Sequence, residues 1–592
     1  MINKRAMRLF PFLAWQRTDR STLLKDLVAG LTVSLLVVPQ SLAYAQLAGV
    51  PAYYGLYAAF IPSIIGVLFG SSPLLSTGPV AMTSLLTAAS VSQITPPGTA
   101  QFVSYVTLLA LLSGVMQIGM GLARAGLLLN LLSHPVLVGF INAAAVVIAL
   151  SQLPALTGIT VEQTGSLLKD TLHLLMKIDS LHVPSLALGV SGIVMLLAFR
   201  RFAPRLPGVL LMVCVLTGLS YFVGFGDKGG GIVGTVPTGL PSISVPQLSW
   251  QAGVSLMPAA FVIALVSFME AMSSCKVIAF KTRSRWDENQ ELIGQGLAKV
   301  AAAFCDSMPV SGSFSRSALN LASHGKTGYS SLFAAGFVLL TLLFFTPLLY
   351  HLPKPALAAM IMLAVVNLID VSAMRNAWLV NRDDGTAALL TFSATLMLAP
   401  NIQNGILIGI AFSLGVFIYR RMFPQMALLA LQEDGTLQEA THRGVVPLNE
   451  KIAALRFDAA LFFANASFFE DAILELAHDN PKLEYIVIVA SGINQLDASA
   501  VEMLRGLVRH LRECGIVLVF SGAKQPFMDV AGRTTLVNEI GQNNFFGSDK
   551  LALKALTARS KVDLSVNLAA APNCSNVKSI HPRNRNPDKH HE

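Results

Sequence analysis

Charged residues are scarce in this sequence, and it contains no cysteine pattern typical of a disulfide or metal framework. Only 13% of the 592 residues are charged, about half of the usual share in a soluble protein, whereas 53% are apolar. A chain that is soluble throughout is therefore excluded. The five cysteines form no C-x-x-C pair and do not alternate with histidines, so we expect no disulfide framework and no metal site. The nucleotide-binding motif G-x-x-x-x-G-K-[ST] is also missing, and we predict neither an enzyme nor a cofactor.

Apolar runs of membrane-spanning length follow one another from Leu27 to about Tyr419. We predict fourteen spans, near 28–46, 52–70, 79–94, 102–123, 133–153, 183–199, 207–225, 255–279, 290–305, 310–323, 329–349, 355–370, 385–399 and 403–419. The basic stretch 1–25 precedes the first apolar run, so it is interpreted as a cytoplasmic lead and not as a cleaved signal.

Basic residues concentrate where the even-numbered spans end. They are Arg124, Arg200, Arg201, Arg205, Lys276, Lys281, Arg283, Arg285, Lys326, Arg375, Arg382, Arg420 and Arg421. The opposite loops carry only Lys169, Lys177, Lys228 and Lys354. This asymmetry predicts that both termini are cytoplasmic, in a multi-pass protein of the cell (inner) membrane. The formal net charge of +9 then belongs to cytoplasmic loops, and no nucleic-acid partner is expected.

The sequence changes character after Arg421. Lys451–Phe457, Leu483–Ala490 and 515–521 have the pattern of buried strands, and 466–479 and 498–513 have helical apolar spacing. Strands that alternate with helices predict a small cytoplasmic α/β domain. The predicted organisation is a lead at 1–25, a transmembrane domain at 26–421, a linker at 422–447, the α/β domain at 448–558 and a disordered tail at 559–592.

Helix breakers interrupt two short spans that lie seven spans apart. Thr77-Gly78-Pro79 opens span three, and 309–313 opens span ten. Paired, interrupted segments at matching positions of two halves are typical of an inverted-repeat transporter with its site at the midplane. Two helix N-termini that face each other would favour an anion. The alternative is that these prolines simply begin ordinary helices.

Several separate motifs resemble those of one family. The segments 51–59 and 69–72 resemble the signature of the sulfate permease (SulP) anion transporters, and Asn289–Leu292 and Val310–Asn320 resemble two further blocks. The C-terminal domain is similar to the STAS domain of that family, with Leu496–Ala500 at its recognition loop. The resemblance implies an α-helical polytopic membrane protein of fourteen transmembrane segments in two inverted repeats of seven, divided into core and gate domains. It also implies a homodimer and a cytoplasmic protein partner for the STAS domain.

The resemblance assigns a substrate site to residues of spans one, three and ten. These are Gln40, Tyr44, Thr77, Val80, Ser313, Phe314, Ser315 and Arg316. Their hydroxyl, amide and backbone N–H groups can replace the water around an anion. For Arg316 two positions stay open, one in the pocket and one at the cytoplasmic rim.

Glu270 lies within an apolar span, and the resemblance assigns it to cation coupling. A carboxylate there is costly unless it is protonated or paired, which suits binding of H+ or Na+. The alternative is a structural glutamate that bonds a neighbour such as Lys299, which stands where family members often have asparagine.

Three functions compete. The first is secondary active transport of an inorganic anion or small carboxylate, with sulfate as first choice and bicarbonate or a C4-dicarboxylate as alternatives. The second is an uncoupled anion channel or exchanger on the same fold, which needs no coupling acid. The third is a membrane-anchored regulator that acts through its STAS domain, although such a protein would need only one or two spans.

Overall fold

The computed structural model describes residues 10–15, 18–126, 133–159, 167–203, 206–366, 368–431, 436–439, 448 and 450–560. The chain divides into two compact units, Met1–Ser413 and Leu414–Glu592. Most of the predicted disordered tail lies outside the described residues. Its first two residues, Arg559 and Ser560, end the last helix of the second unit.

The first unit is helical. Its helices are α1 (Arg20–Leu47), α2 (Tyr53–Phe69), α3 (Ala81–Val91), α4 (Ala100–Leu122), α5 (His134–Ser151), α6 (Leu153–Thr157), α7 (Leu167–Met176), α8 (Val183–Phe202), α9 (Gly208–Val223), α10 (Trp250–Thr282), α11 (Glu288–Phe304), α12 (Phe314–Ala322), α13 (Tyr329–Leu340), α14 (Thr346–Leu349), α15 (Lys354–Val366), α16 (Val371–Val380), α17 (Arg382–Met397) and α18 (Ile402–Met422). A π-helical turn, Thr341–Phe345, joins α13 to α14. Helix α18 begins in the first unit and ends in the second.

Each of the fourteen predicted spans overlaps one of these helices. Among the described residues, eight helices are long and apolar enough to cross a membrane. The other spans correspond to shorter helices, of which α3 has 11 residues and α12 has nine. The sequence did not predict α7 and α16, since each has only 10 residues and lies between apolar runs.

Side chains that accept backbone hydrogen bonds fix where several long helices begin. Asp19 accepts from the amide of Thr22 at the start of α1, and Ser249 and Asp287 occupy the same position before α10 and α11. Each satisfies one of the amide groups that a helix N-terminus leaves without a partner.

Two three-residue strands pair within the first unit. The strands β1 (Ser76–Gly78) and β2 (Ser311–Ser313) pair in antiparallel register, with Thr77 opposite Gly312. A Cβ atom at Gly312 would lie 2.9 Å from a terminal methyl group of Leu75 and 3.0 Å from Cβ of Ala271, so glycine allows both side chains to pack directly against β2. Because each strand leads directly into a short helix, the pairing brings the N-termini of α3 and α12 together.

The second unit contains a six-stranded sheet in the order β4-β3-β5-β6-β7-β8. Its elements are β3 (Met426–Leu431), β4 (Leu437–Glu439), β5 (Ile452–Phe457), α19 (Ala466–Asp479), β6 (Tyr485–Val489), α20 (Ala498–Glu513), β7 (Val517–Ser521), α21 (Gln525–Arg533), α22 (Leu536–Ile540), β8 (Phe545–Phe546) and α23 (Asp549–Ser560). The strands from β5 to β8 are parallel, and β3 is antiparallel to both of its neighbours.

The three predicted strands and two predicted helices of this unit agree with the structure to within about two residues. The predicted linker, in contrast, contains β3 and β4, so the sheet begins before residue 448. Pro424 marks the end of α18, but an apolar run as short as β3 does not by itself distinguish a strand from a helix. Only its pairing with β5, which opposes Met426 to Phe457, identifies it as a strand.

Candidate functional site

A cavity of about 910 Å³ lies where the N-termini of α3 and α12 meet. Seven of the nine predicted site residues line it, namely Gln40, Tyr44, Val80, Glu270, Ser313, Phe314 and Ser315. They come from four elements that are far apart in sequence, α1, the start of α3, α10 and the start of α12. The structure therefore brings most of the predicted residues into one place.

The first residues of the two short helices line this cavity. Val80 precedes α3 and has no side-chain hydroxyl or carboxylate with which to cap it. At α12 the hydroxyl of Ser313 accepts a long hydrogen bond of 3.4 Å from the amide of Arg316, which leaves the first amides of the turn available. Aligned helix dipoles add positive potential at both helix N-termini, which is the kind of environment that favours an anion.

Arg316 is buried behind the strand pair. It is only 1% exposed, and its Nη1 atom donates to the carbonyl oxygen of Pro79 at 2.8 Å. Its Nε atom donates to Oγ of Ser76 at 3.4 Å. Nη2 is also buried and has no hydrogen-bond partner among the described residues. Arg316 thus lies neither at the rim nor in the cavity wall, and its hydrogen bonds hold the two helix ends together from behind.

Thr77 is also turned away from the cavity. Its hydroxyl accepts a hydrogen bond from Nε2 of Gln295 at 2.8 Å, and its carbonyl oxygen accepts one from the hydroxyl of Ser63 at 2.7 Å. These contacts hold β1 against α11 and α2. The sequence analysis missed Gln295, although its position one helical turn after Glu291 on α11 offers a signal.

Glu270 faces the cavity from α10 without an ion-pair partner in the described part of the chain. Its Oε2 atom is buried and makes no hydrogen bond to a described residue. The bond that Lys299 makes is to another residue, since its fully buried Nζ atom donates to Oε1 of Gln117 at 2.5 Å. Lys299 and Arg316 still act on Glu270 through their positive charges.

Two further buried carboxylates fix the loops around the site. Glu291 accepts hydrogen bonds from the amides of Ser71 at 2.8 Å and Ser72 at 3.0 Å, directly after α2. Asp26, on α1, accepts from the amide of Lys326 at 2.6 Å and from that of Thr327 at 3.2 Å. Each carboxylate joins one half of the sequence to a loop of the other half. The sequence analysis did not recognise this role of Asp26, since it lies at the charged edge of an apolar run.

Polar residues outside the predicted set also line the cavity. Ser133 and His134 stand at the start of α5, and Ser273 and Lys276 follow Glu270 on α10. The sequence analysis interpreted Lys276 only as part of the basic loop distribution. Its position indicates a positively charged approach to the site.

Comparisons with known proteins cover both units. Residues 23–391 match the model of the sulfate permease family, and residues 445–551 match that of the STAS domain. The chain is 32% identical over 570 residues to the chloroplastic sulfate transporter 4.1 of Arabidopsis thaliana, with 91% of this chain and 81% of the relative covered. It is also 32% identical over 547 residues to a probable sulfate transporter of Mycobacterium tuberculosis, with 91% and 96% covered.

Solved structures show the same fold. The murine Solute Carrier 26 family member A9 anion transporter, in its inward-facing state, superposes with a TM-score of 0.87 at 22% identity, covering 94% of this chain and 95% of that one. The transmembrane domain of a cyanobacterium bicarbonate transporter, BicA, superposes with a TM-score of 0.56 at 22% identity, covering 67% and 99%. At these identities the likeness concerns architecture alone.

Proposed function

This chain belongs to the sulfate permease family, and on that premise we propose that it moves sulfate across the membrane by secondary active transport. The predicted family, the polytopic helical fold with a C-terminal α/β STAS domain, and the assignment as a transporter and not an enzyme are confirmed. The chain is a multi-pass membrane protein that transports anions.

The pairing of β1 with β2 is the observation that carries the proposal for the site. It sets the N-termini of α3 and α12 at one cavity, where backbone amides and the hydroxyls of Ser313 and Ser315 can surround a tetrahedral oxyanion. Gln40 donates its side-chain amide from the opposite wall, and Tyr44 closes that wall. Sulfate is the preferred substrate because relatives that match 91% of this chain are named as sulfate transporters.

Coupling to H+ or Na+ is assigned to Glu270. Its buried Oε2 atom has no hydrogen-bond partner among the described residues, so a proton or a cation would satisfy it. A carboxylate beside an anion site also provides a reason for the two substrates to bind together, since neutralising it removes a repulsion that opposes anion binding.

Three further features complete the proposal. Both termini lie in the cytoplasm, because basic residues such as Lys281, Arg382 and Arg420 concentrate at the ends of even-numbered spans. The protein acts as a homodimer, by analogy with its family. Its STAS domain receives a cytoplasmic protein partner, although Ala498 replaces the serine that soluble STAS relatives phosphorylate.

Uptake into proteoliposomes tests this function. Labelled sulfate, bicarbonate, chloride and a C4-dicarboxylate are offered with and without gradients of H+ or Na+. We expect sulfate to accumulate when one cation gradient is imposed, and Glu270→Gln to abolish accumulation while sulfate exchange persists.

The matched control for this variant is Glu270→Asp, which retains a carboxylic acid at position 270. Gradient-driven uptake that is unchanged in Glu270→Gln would assign the protein to the uncoupled class, and preference for another anion would replace sulfate as substrate.

A further inference from the structure

A second cavity, of about 950 Å³, lies in the first unit on the opposite side of α1 from the anion site. Leu31, Val38 and Leu42 of α1 line it, whereas Gln40 and Tyr44 line the first cavity. An α-helix has 3.6 residues per turn, so these two sets project from opposite faces of the same helix. Helix α9 and the segment 337–351 form the remaining walls.

The second cavity is apolar over most of its length and opens on the hydrophobic outer surface of the unit. Leu340, Phe345 and Leu348, at its edge, are 44%, 52% and 66% exposed. In a chain that crosses a bilayer, side chains of this type face acyl chains. Over most of its length such a cavity offers few of the polar partners that an ordered water requires. The surrounding lipid is therefore the natural source of an occupant.

Polar groups occur towards one end of the cavity. The rings of Tyr221 and His351 meet there, with centroids 5.0 Å apart, and such aromatic residues are typical of the membrane interface. Thr217 lies one helical turn from Tyr221, about 6 Å deeper. Its Oγ1 atom is buried and has no hydrogen-bond partner within the described ranges. Thr341, in the facing wall, differs because its hydroxyl donates to the carbonyl oxygen of Phe337 at 3.0 Å.

The cavity separates two closely packed groups of helices. A Cβ atom at Gly30 of α1 would lie 2.5 Å from the carbonyl oxygen of Ser330, so α1 and α13 are in direct contact. A Cβ atom at Gly192 of α8 would lie 3.2 Å from both Ala359 of α15 and Leu216 of α9. The cavity therefore lies between bodies that are each well packed. Its wall also includes the π-helical turn Thr341–Phe345, a local structure that is frequent at functional sites.

We propose that this cavity binds one bilayer phospholipid, with its acyl chain between α1, α9 and 337–351. The headgroup lies beside Tyr221 and His351. An ester carbonyl of the lipid, which lies just inside the headgroup, accepts the hydrogen bond that Thr217 can donate. The lipid contacts the face of α1 opposite Gln40 and Tyr44, and thereby supports the helix that carries one wall of the anion site.

Photolabelling of the full-length protein in vesicles tests the proposal. The vesicles contain unlabelled ether-linked phosphatidylcholine, which lacks the ester carbonyl groups proposed to accept from Thr217, and an increasing mole fraction of ester-linked phosphatidylcholine with a diazirine in one acyl chain. After illumination, labelled residues are located by peptide mass spectrometry. We expect labelling of α9 and 337–351 to saturate, as at a site, whereas labelling near Val115, an exposed residue of α4, rises in proportion to the probe.

Gly218→Phe is the variant that fills the cavity. Gly218 lines it, and no described atom lies within 4 Å of the position that a Cβ atom would take. We expect saturable labelling to fall at least tenfold. Gly119→Phe is the matched control, since Gly119 is also a helical glycine with free space around it but lies on α4. We expect saturable labelling of α9 and 337–351 in this control to equal that of the unsubstituted protein. Thr217→Val, which removes only the hydroxyl, lowers the apparent affinity for the probe several-fold.

The outcomes separate clearly. Labelling that rises linearly at α9, or that persists in Gly218→Phe, would overturn the proposal and leave only annular lipid. Monodisperse elution and an unchanged melting temperature confirm that each variant is folded. Where Gly218→Phe fails that criterion, Cys214→Trp fills the same cavity from one turn earlier, and loss or retention of its label decides the question.

Discussion

Arg316 donates a hydrogen bond to the carbonyl oxygen of Pro79, 2.8 Å away and 237 positions earlier in the sequence. The bond joins the N-terminus of α12 to the N-terminus of α3 behind the proposed anion cavity. A guanidinium presents several donors in a fixed plane, so one side chain can also reach Ser76 from the same position. The junction of the two halves thus depends on the planar arrangement of the donors of Arg316.

Arg316→Gln therefore removes the positive charge together with the hydrogen bonds to Pro79 and Ser76. We expect the affinity for sulfate to fall by tenfold or more, since a hydrogen bond to a charged group contributes about 1.5–3 kcal/mol. Arg316→Lys keeps the charge and loses the planar geometry, and we expect an intermediate affinity. Concentration dependence of initial uptake measures both. Arg285→Gln, at an exposed arginine, is the control, and sulfate affinity in Arg316→Gln equal to that of the control would contradict this role.

Two substitutions of Ser313 distinguish the loss of a hydrogen bond to the anion from electrostatic exclusion of the anion. Ser313→Ala removes one hydroxyl donor worth on the order of 1 kcal/mol, so the affinity for sulfate should fall several-fold while transport continues. Ser313→Glu places a carboxylate at the N-terminus of α12, where it occupies the space and reverses the local potential, so transport should be lost. Both variants must be inserted and monodisperse. Near-normal uptake by Ser313→Glu would show that the anion passes elsewhere.

Lys299 and Gln117 form a buried pair whose energetics can be separated by double substitution. Lys299→Met leaves Oε1 of Gln117 buried without its donor, which costs about 1–3 kcal/mol, and lowers the melting temperature. Replacing both partners, as Lys299→Met with Gln117→Leu, removes the unsatisfied group and should recover much of that loss. Thermal unfolding in detergent gives the comparison. Additive losses in the double variant would mean that the two side chains do not interact.

Gly55 marks the closest approach of α1 and α2. A Cβ atom there would lie 1.8 Å from the carbonyl oxygen of Ser41, next to Gln40 of the anion cavity. Gly55→Ala should therefore displace α1, lower the melting temperature and weaken sulfate affinity together. Gly119→Ala, at a helical glycine without neighbours among the described residues, should instead stabilise slightly, by about 0.5–1 kcal/mol. A normal melting temperature in Gly55→Ala would show that the two helices can separate at no cost.

Sidedness has a direct test. If the even-numbered spans end in the cytoplasm, an impermeant thiol reagent added outside should label a cysteine that replaces Lys228 and spare one that replaces Arg382. The background is a variant without the native cysteines. Labelling in the reverse pattern would invert the orientation of every span.

The sequence predicted the positions of the helices well because apolar length and proline or glycine breaks are local signals. The short helices α3 and α12 and the cavity residues Gln40 and Tyr44 follow from such signals together with the family resemblance. The directions of Thr77 and Arg316 could not be predicted, because they depend on Gln295 and Pro79, which only the fold brings near. The sequence analysis considered Glu270 as a partner of Lys299, whereas the structure shows Gln117 in that place. This difference also depends on packing, here between α4 and α11.

The pairing of β1 with β2 also determines when, during synthesis of the chain, the centre of the first unit can form. These strands are separated by more than 200 residues, and each has too few residues to form a sheet alone. Backbone amides without partners are costly in a bilayer, so the first half of the chain enters the membrane with its central strand incomplete until the ribosome has made the second half. The proposed anion site therefore cannot form in either half separately, and translation must pass residue 313 before the cavity between α3 and α12 is complete.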